Sequence, residues 1–291
     1  MSVKNMVGDE GDRWKKRESE EIGARYCSRV RMGNWSEELF LQEEKMKYFL
    51  RQKERGELRV QKTRATISNL LKEVSLLLPG DYVKFGDPCQ VLAPGLCHSR
   101  APQGLVLAGV VGVQEVDTCQ HFQDGSLVSA SPHSTPCVRN CFRVSSPDTR
   151  CREGDILKYG EPFALGTFES PYGLPLFVES EVPHLHSILG RSKHPLLRLS
   201  SYKNIYSLWR VVPLDHATRE DLWDMPVPAN VPVVISHVAS NKNLALAPDF
   251  WFSSYFGVEC EVSVHTDLNV YRHETANNIW ALVTNRPEKL Q

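Results

Sequence analysis

Between residues 119 and 151 the chain gathers Cys119, His121, His133, Cys137, Cys141 and Cys151. These residue types bind zinc, which needs four of them converging tetrahedrally, usually from two tight knuckles of two to four intervening residues. Cys137 and Cys141 make one such knuckle, but Cys119 and His121 stand too close together to make a standard second one. The spacing favours strand cysteines and loop histidines over a metal centre, and no metal or cofactor is expected. His184 and His186 near Glu179 and Glu181 offer groups for acid–base work, but that work needs fixed geometry, and a proline-rich loop accounts for them more simply. Cys260 lies between Glu259 and Glu261, whose charges raise a thiol pKa, so it is a poor nucleophile. The chain has no G-x-x-x-x-G-K-[ST] loop, no G-x-S-x-G elbow and no H-E-x-x-H helix. It reads as a non-enzyme, with no catalytic residue assigned.

The wider composition agrees with a folded, near-neutral protein. Its 291 residues carry 34 Lys+Arg against 35 Asp+Glu, a net charge of −1, so a whole-chain basic footprint for nucleic acid is missing. The N-terminus lacks the apolar core of a signal peptide, and no window approaches the roughly 18 apolar residues of a membrane span. A cytosolic protein without a membrane partner is expected, with its eight cysteines as free thiols.

Three kinds of segment must position these residues. Residues 1–30 are polar and without periodicity and read as a flexible charged arm. Residues 31–80 read as a helical hairpin. Asn34 and Ser36 compete as N-cap, and Leu39, Phe40, Met46, Phe49 and Leu50 recur at helical spacing. Gly56 is placed just past the end of the first helix. A second helix, with Val60, Ile67, Leu70, Leu71, Val74 and Leu78 apolar, ends at Pro79-Gly80. These faces suit a partner or membrane surface, or packing on the following domain, and the packing is preferred. At Asp81 the texture becomes that of β-structure, with short apolar runs among Pro, Gly and Ser. The charge divides there as well: residues 1–80 hold 17 Lys+Arg and 13 Asp+Glu, and residues 81–291 hold 17 and 22.

An internal repeat organises the β-part. Asp81-Tyr-Val-Lys-Phe-Gly-Asp-Pro88 returns as Asp155-Ile-Leu-Lys-Tyr-Gly-Glu-Pro162, and a weaker third opening is read at Val233–His237. The closings also recur: Asn140-Cys-Phe142, Asn204 before Trp209, and Asn277-Asn-Ile-Trp280. Units at 81–146, 155–213 and 232–285, none able to bury its apolar face alone, should assemble around a common axis. The expected fold is mainly β: a β-trefoil over 81–286, preceded by the helical hairpin. Phe142, Trp209 and Trp280 are read as equivalent core aromatics rather than a ligand platform. The aromatic cluster Trp251-Phe252 and Tyr255-Phe256 is likewise read as core.

These openings and closings resemble MIR-type β-trefoil repeats. Two stretches carry a closer resemblance: Arg31-Met-Gly33-Asn34-Trp35-Ser-Glu37-Glu38-Leu-Phe-Leu41, and Pro226-Val-Pro228-Ala229-Asn230 with His237, Asn241, Ser254-Tyr255-Phe256-Gly257, His265-Thr266 and Trp280-Ala-Leu-Val283-Thr284. They are similar to the family of cilia- and flagella-associated protein 161. The resemblance implies a structural microtubule inner protein in the lumen of ciliary doublet microtubules. Its implied partners are the α/β-tubulin lattice and other microtubule inner proteins. Arg31, Gly33, Asn34 and Trp35 become the candidate partner-binding residues, Arg and Trp being enriched at interface hot spots. Packing of Trp35 as a staple at the helix start is an equal alternative. A cytosolic lectin-like trefoil is the second functional reading, although the Q-x-W closing of lectin trefoils is absent.

Overall fold

Apolar periodicity changes from helical to alternating along the chain, and the structure changes with it. It is a computed structural model that describes residues 35–76, 80–95, 104–147, 153–169, 173–182 and 189–285. Two units divide the chain, residues 1–58 and 59–291.

The first unit contains helix α1 (Trp35–Glu54). Glu37 and Glu38 occupy its first turn and Arg51 and Lys53 its last, which complements the helix dipole at both ends. Gly56 sits at φ +73°, and two backbone bonds close the end: Gly56 N–H to Lys53 O (3.2 Å) and Glu57 N–H to Gln52 O (2.9 Å). This paired pattern is a Schellman motif, with Gly56 in the left-handed position anticipated for it.

The second unit opens with helix α2 (Arg59–Leu70). Leu70 is fully buried in the β-core, and Arg139 N–H bonds to Leu70 O (3.1 Å) while Val138 N–H bonds to Lys72 O (3.0 Å). The second helix therefore packs with the β-body, within the unit that begins at Arg59.

Three groups of four strands come after it. The first is β1 (Pro88–Ala93), β2 (Leu105–Gly109), β3 (Val128–Ser131) and β4 (Phe142–Ser145), with short helix α3 (Val113–Thr118) between β2 and β3. The second is β5 (Pro162–Thr167), β6 (Phe177–Glu179), β7 (Arg198–Ser200) and β8 (Trp209–Pro213). The third is β9 (Pro232–His237), β10 (Lys242–Ser254), β11 (Gly257–Val264) and β12 (Ile279–Val283). The first and last strands of each group close a ring of antiparallel pairs: β1 with β4, β4 with β5, β5 with β8, β8 with β9, β9 with β12, and β12 back to β1. The middle strands of each group pair as β2–β3, β6–β7 and β10–β11. A closed six-stranded barrel with three hairpins in pseudo-threefold array is a β-trefoil, and closure leaves the barrel strands without open edges.

The three openings meet in a cyclic set of backbone bonds. Val83 N–H bonds to Val227 O (3.0 Å), Val227 N–H to Leu157 O (2.9 Å), and Leu157 N–H to Val83 O (2.9 Å). A second ring joins Phe85 to Asp155, Tyr159 to Met225 and Ala229 to Asp81. The third opening is thus Met225–Asn230, earlier than the Val233–His237 segment read from sequence. Asn230 at φ +62° takes the place of Gly86 (+92°) and Gly160 (+80°). Asn is among the few non-glycine residues that visit this left-handed region readily, so the repeat survives without its glycine.

Phe142, Trp209 and Trp280 fill the barrel at 1%, 1% and 0% exposure. Each indole also bonds to backbone: Trp209 Nε1–H to Val178 O and Trp280 Nε1–H to Leu244 O, both at 2.9 Å. Two residues before each aromatic stand Asn140, Ser207 and Asn278, all buried. Asn140 donates to His133 O and Thr135 O, and Asn278 to Leu244 O and His265 O, so these side chains tie loops to the barrel.

Candidate functional site

The candidate partner-binding residues begin the first unit. Arg31, Gly33 and Asn34, and the side chain of Trp35, lie outside the described residues; Trp35 contributes its backbone to the first turn of α1. The helix that they lead into presents its apolar residues to solvent. Leu39, Phe40, Met46, Tyr48, Phe49 and Leu50 are all exposed, Phe40 to 66% and Met46 to 58%. Local contacts such as Lys47–Glu43 (2.7 Å) and Gln52 Nε2–H to Tyr48 Oη (2.9 Å) stabilise the helix along its own surface. Within its own unit this 20-residue helix buries little apolar surface.

The cysteine–histidine cluster is drawn into local structure. Cys119 Sγ donates to His121 O (3.0 Å), and His121 Nδ1 accepts the Phe122 N–H (2.9 Å). Cys137 and Cys141 span one turn, closed by Cys141 N–H to Cys137 O (3.0 Å). Burial pushes the Cys141 thiol up to about 12 and raises Cys137. Among the described residues no group of three or more His, Cys, Asp or Glu is placed to hold a metal. Cys97 and Cys151 lie outside the described residues.

The other residues singled out for chemistry separate in the same way. His184 and His186 fall outside the described residues. Glu181 is paired with Arg198 (2.5 Å), and Glu179 accepts from Asn204 Nδ2–H (3.4 Å). Burial holds Glu179 above the ordinary carboxylate range. Cys260 is fully buried, and its thiol is pushed up to about 12 first by burial, with Glu261 and Asp249 adding to it. Its acidic neighbours have separate tasks. Glu259 makes a buried ion pair with Arg139 and accepts from Ser129 Oγ–H (2.8 Å). Glu261 accepts the Arg191 and Ser192 N–H groups at 2.9 and 3.0 Å, fixing the loop before β7. In the 251–256 cluster, Trp251, Tyr255 and Phe256 pack on the core, and the Arg139 guanidinium stacks 4.0 Å above the Phe256 ring.

Sequence reasoning passed over one surface: a cleft of about 850 Å³ lined by Phe85, Ile156, Lys158, Gly160, Glu161 and Trp223 among others. Trp223 stands just before the third opening, and the signal that would have found it was the position of that opening.

With the barrel, its repeat and these surfaces placed, comparison with known proteins separates this trefoil from others. The description "Cilia- and flagella-associated protein 161-like domain" matches residues 62–285. The chain belongs to the family of cilia- and flagella-associated protein 161. Relatives of that name in Danio rerio and Mus musculus are 33% and 30% identical over 269 residues, covering 90% of this chain and 89% of each relative. Family similarity therefore extends beyond the β-body and into the first unit. Among solved structures, an SDF2-like protein from Arabidopsis thaliana overlays with a TM-score of 0.47 at 15% identity, covering 69% of this chain and 94% of that one.

Proposed function

We propose that this chain is a structural microtubule inner protein, bound to tubulin and to neighbouring inner proteins within the lumen of ciliary doublet microtubules, where it stabilises the axoneme for motility. The observation that carries the reading is family membership across residues 62–285, in a family associated with cilia and flagella. The exposed apolar face of α1 supports it, because a helix of this kind gains stability when a partner covers it. The reading assigns no catalysis. A scaffold held in many copies on a fixed lattice can rely on avidity instead of strong single contacts.

Extraction of axonemes tests the assignment. Salt that strips outer axonemal proteins should leave this protein behind, and its release with the outer fraction would refute a lumenal position. The double variant Arg31→Ala/Trp35→Ala should leave the β-trefoil folded and reduce incorporation into axonemes. Unchanged incorporation would remove the assignment of that segment. A lectin-like role is the competing reading, and specific binding on a glycan array would favour it.

A further inference from the structure

The cleft beside the third opening has a floor and a rim of different chemistry. Trp223 is 46% exposed, and its indole lies directly over Gly160. A Cβ at Gly160 would overlap the indole ring, so the glycine both permits the φ of +80° and leaves room for the indole against the backbone. The pseudo-equivalent position carries a different cover: Gly86 lies beneath the Glu153 side chain, so the indole is particular to this unit of the repeat. Phe85, Ile156 and Pro162 extend the apolar floor, while Asp155, Glu161 and Asp224 line it together with Lys158. Asp224 is itself in the left-handed region at φ +64°, its N–H bonded to Tyr159 O (3.3 Å), which fixes the start of its side chain beside the indole.

We propose that this cleft receives an arginine or lysine side chain from a basic segment of a protein partner. An exposed indole face attracts a cation through its ring quadrupole, and carboxylates at the edge add charge and hydrogen-bond acceptors. Arginine suits the site best, because its planar guanidinium stacks on the ring and still donates to the rim. A neutral sugar also stacks on tryptophan, but it makes no use of the excess of carboxylate over ammonium along the lining. The site is independent of the ciliary reading: it rests on the geometry of the second unit alone.

The test is calorimetric titration of the full chain at low salt with a (Gly-Arg)4 peptide, with (Gly-Glu)4 and chitotriose as comparisons. The arginine peptide should bind, and the others should not. Trp223→Ala should weaken binding by about tenfold or more, while Trp223→Phe retains most of it because a ring remains. Asp224→Asn removes the charge but keeps a residue that tolerates φ > 0, and should weaken binding several-fold. Thermal melting of each variant reports folding. If Trp223→Ala does not fold, Asp224→Asn and Glu161→Gln decide. Undiminished affinity in the folded variants would overturn the proposal, because the peptide would then be held by the acidic surface at large. So would failure of the peptide to bind at millimolar concentration, or binding of chitotriose in its place.

Discussion

Arg139 and Glu259 show how much one residue pair can commit a fold to. Both side chains are at most 1% exposed, and they join the first four-strand group to the third, since Ser129 on β3 also donates to Glu259. Removing one partner leaves the other charge in the interior, which costs far more than the pair itself contributes. Arg139→Met should therefore destabilise the protein by about 3–5 kcal/mol in urea unfolding, whereas Arg139→Met with Glu259→Leu should recover much of that loss. His237 makes a second commitment. It is fully buried, with Nε2 2.9 Å from Tyr206 O and Nδ1 2.9 Å from Ser240 Oγ. The carbonyl can only accept, so Nε2 carries the proton and Nδ1 accepts from the serine. Burial holds the His237 pKa below its ordinary 6.5, and His121 is shifted the same way by the same cause. A depressed histidine pKa means that the unfolded chain binds a proton before the folded one does. Its contribution is present above about pH 6.5 and is lost as pH falls through the folded value. Urea midpoints should fall between pH 7 and pH 5, and His237→Gln should flatten part of that slope.

At the scale of elements, the openings explain why the threefold repeat is uneven in sequence. Gly86, Gly160 and Asn230 occupy equivalent turns with positive φ. Asn230→Gly should be neutral or slightly stabilising, and Asn230→Ala should cost about 1–2 kcal/mol, measurable as a lowered melting temperature. An Ala variant as stable as the parent would mean that this turn carries no left-handed requirement. The helices divide differently. In α2, Thr66 and Leu70 are buried, whereas Leu39, Phe40, Met46, Phe49 and Leu50 of α1 are exposed. Similar patterns of Leu, Phe and Met can thus serve a core or a surface, because periodicity says that a helix has a face and not what that face meets.

At the scale of the whole molecule, Trp209 and Trp280 are the largest fully buried side chains among the described residues. Trp280 is 0% exposed and its indole N–H bonds to Leu244 O, so truncation removes a large apolar volume and leaves a buried carbonyl without its donor. Trp280→Ala should cost about 3–5 kcal/mol in equilibrium unfolding. Trp280→Phe should cost less, since Phe142 fills the equivalent place in the first group. The near-zero net charge also gains a different meaning at this scale. It combines a front of 17 basic and 13 acidic residues over 1–80 with a remainder of 17 and 22. The excess of acid lies on the β-part of the sequence, and the Trp223 cleft, lined by Asp155, Glu161 and Asp224 against Lys158, shares that sign.

The repeat, the core aromatics and the end of α1 at Gly56 were all legible in sequence. Each depends on local chemistry: a glycine where φ must be positive, and an aromatic large enough to dominate a core. Other features were not legible, because they depend on residues far apart in the chain. The third opening at Met225–Asn230 becomes visible when its backbone bonds to the first two. Glu259 and Glu261 stand two residues apart in sequence, yet β11 sends one to Arg139 and the other to the loop at 191–192. Sequence determined that there would be a threefold β-body and which aromatics would fill it. Tertiary structure decided what each acidic and aromatic side chain faces, since strand pairing, and not spacing along the chain, sets which groups become neighbours.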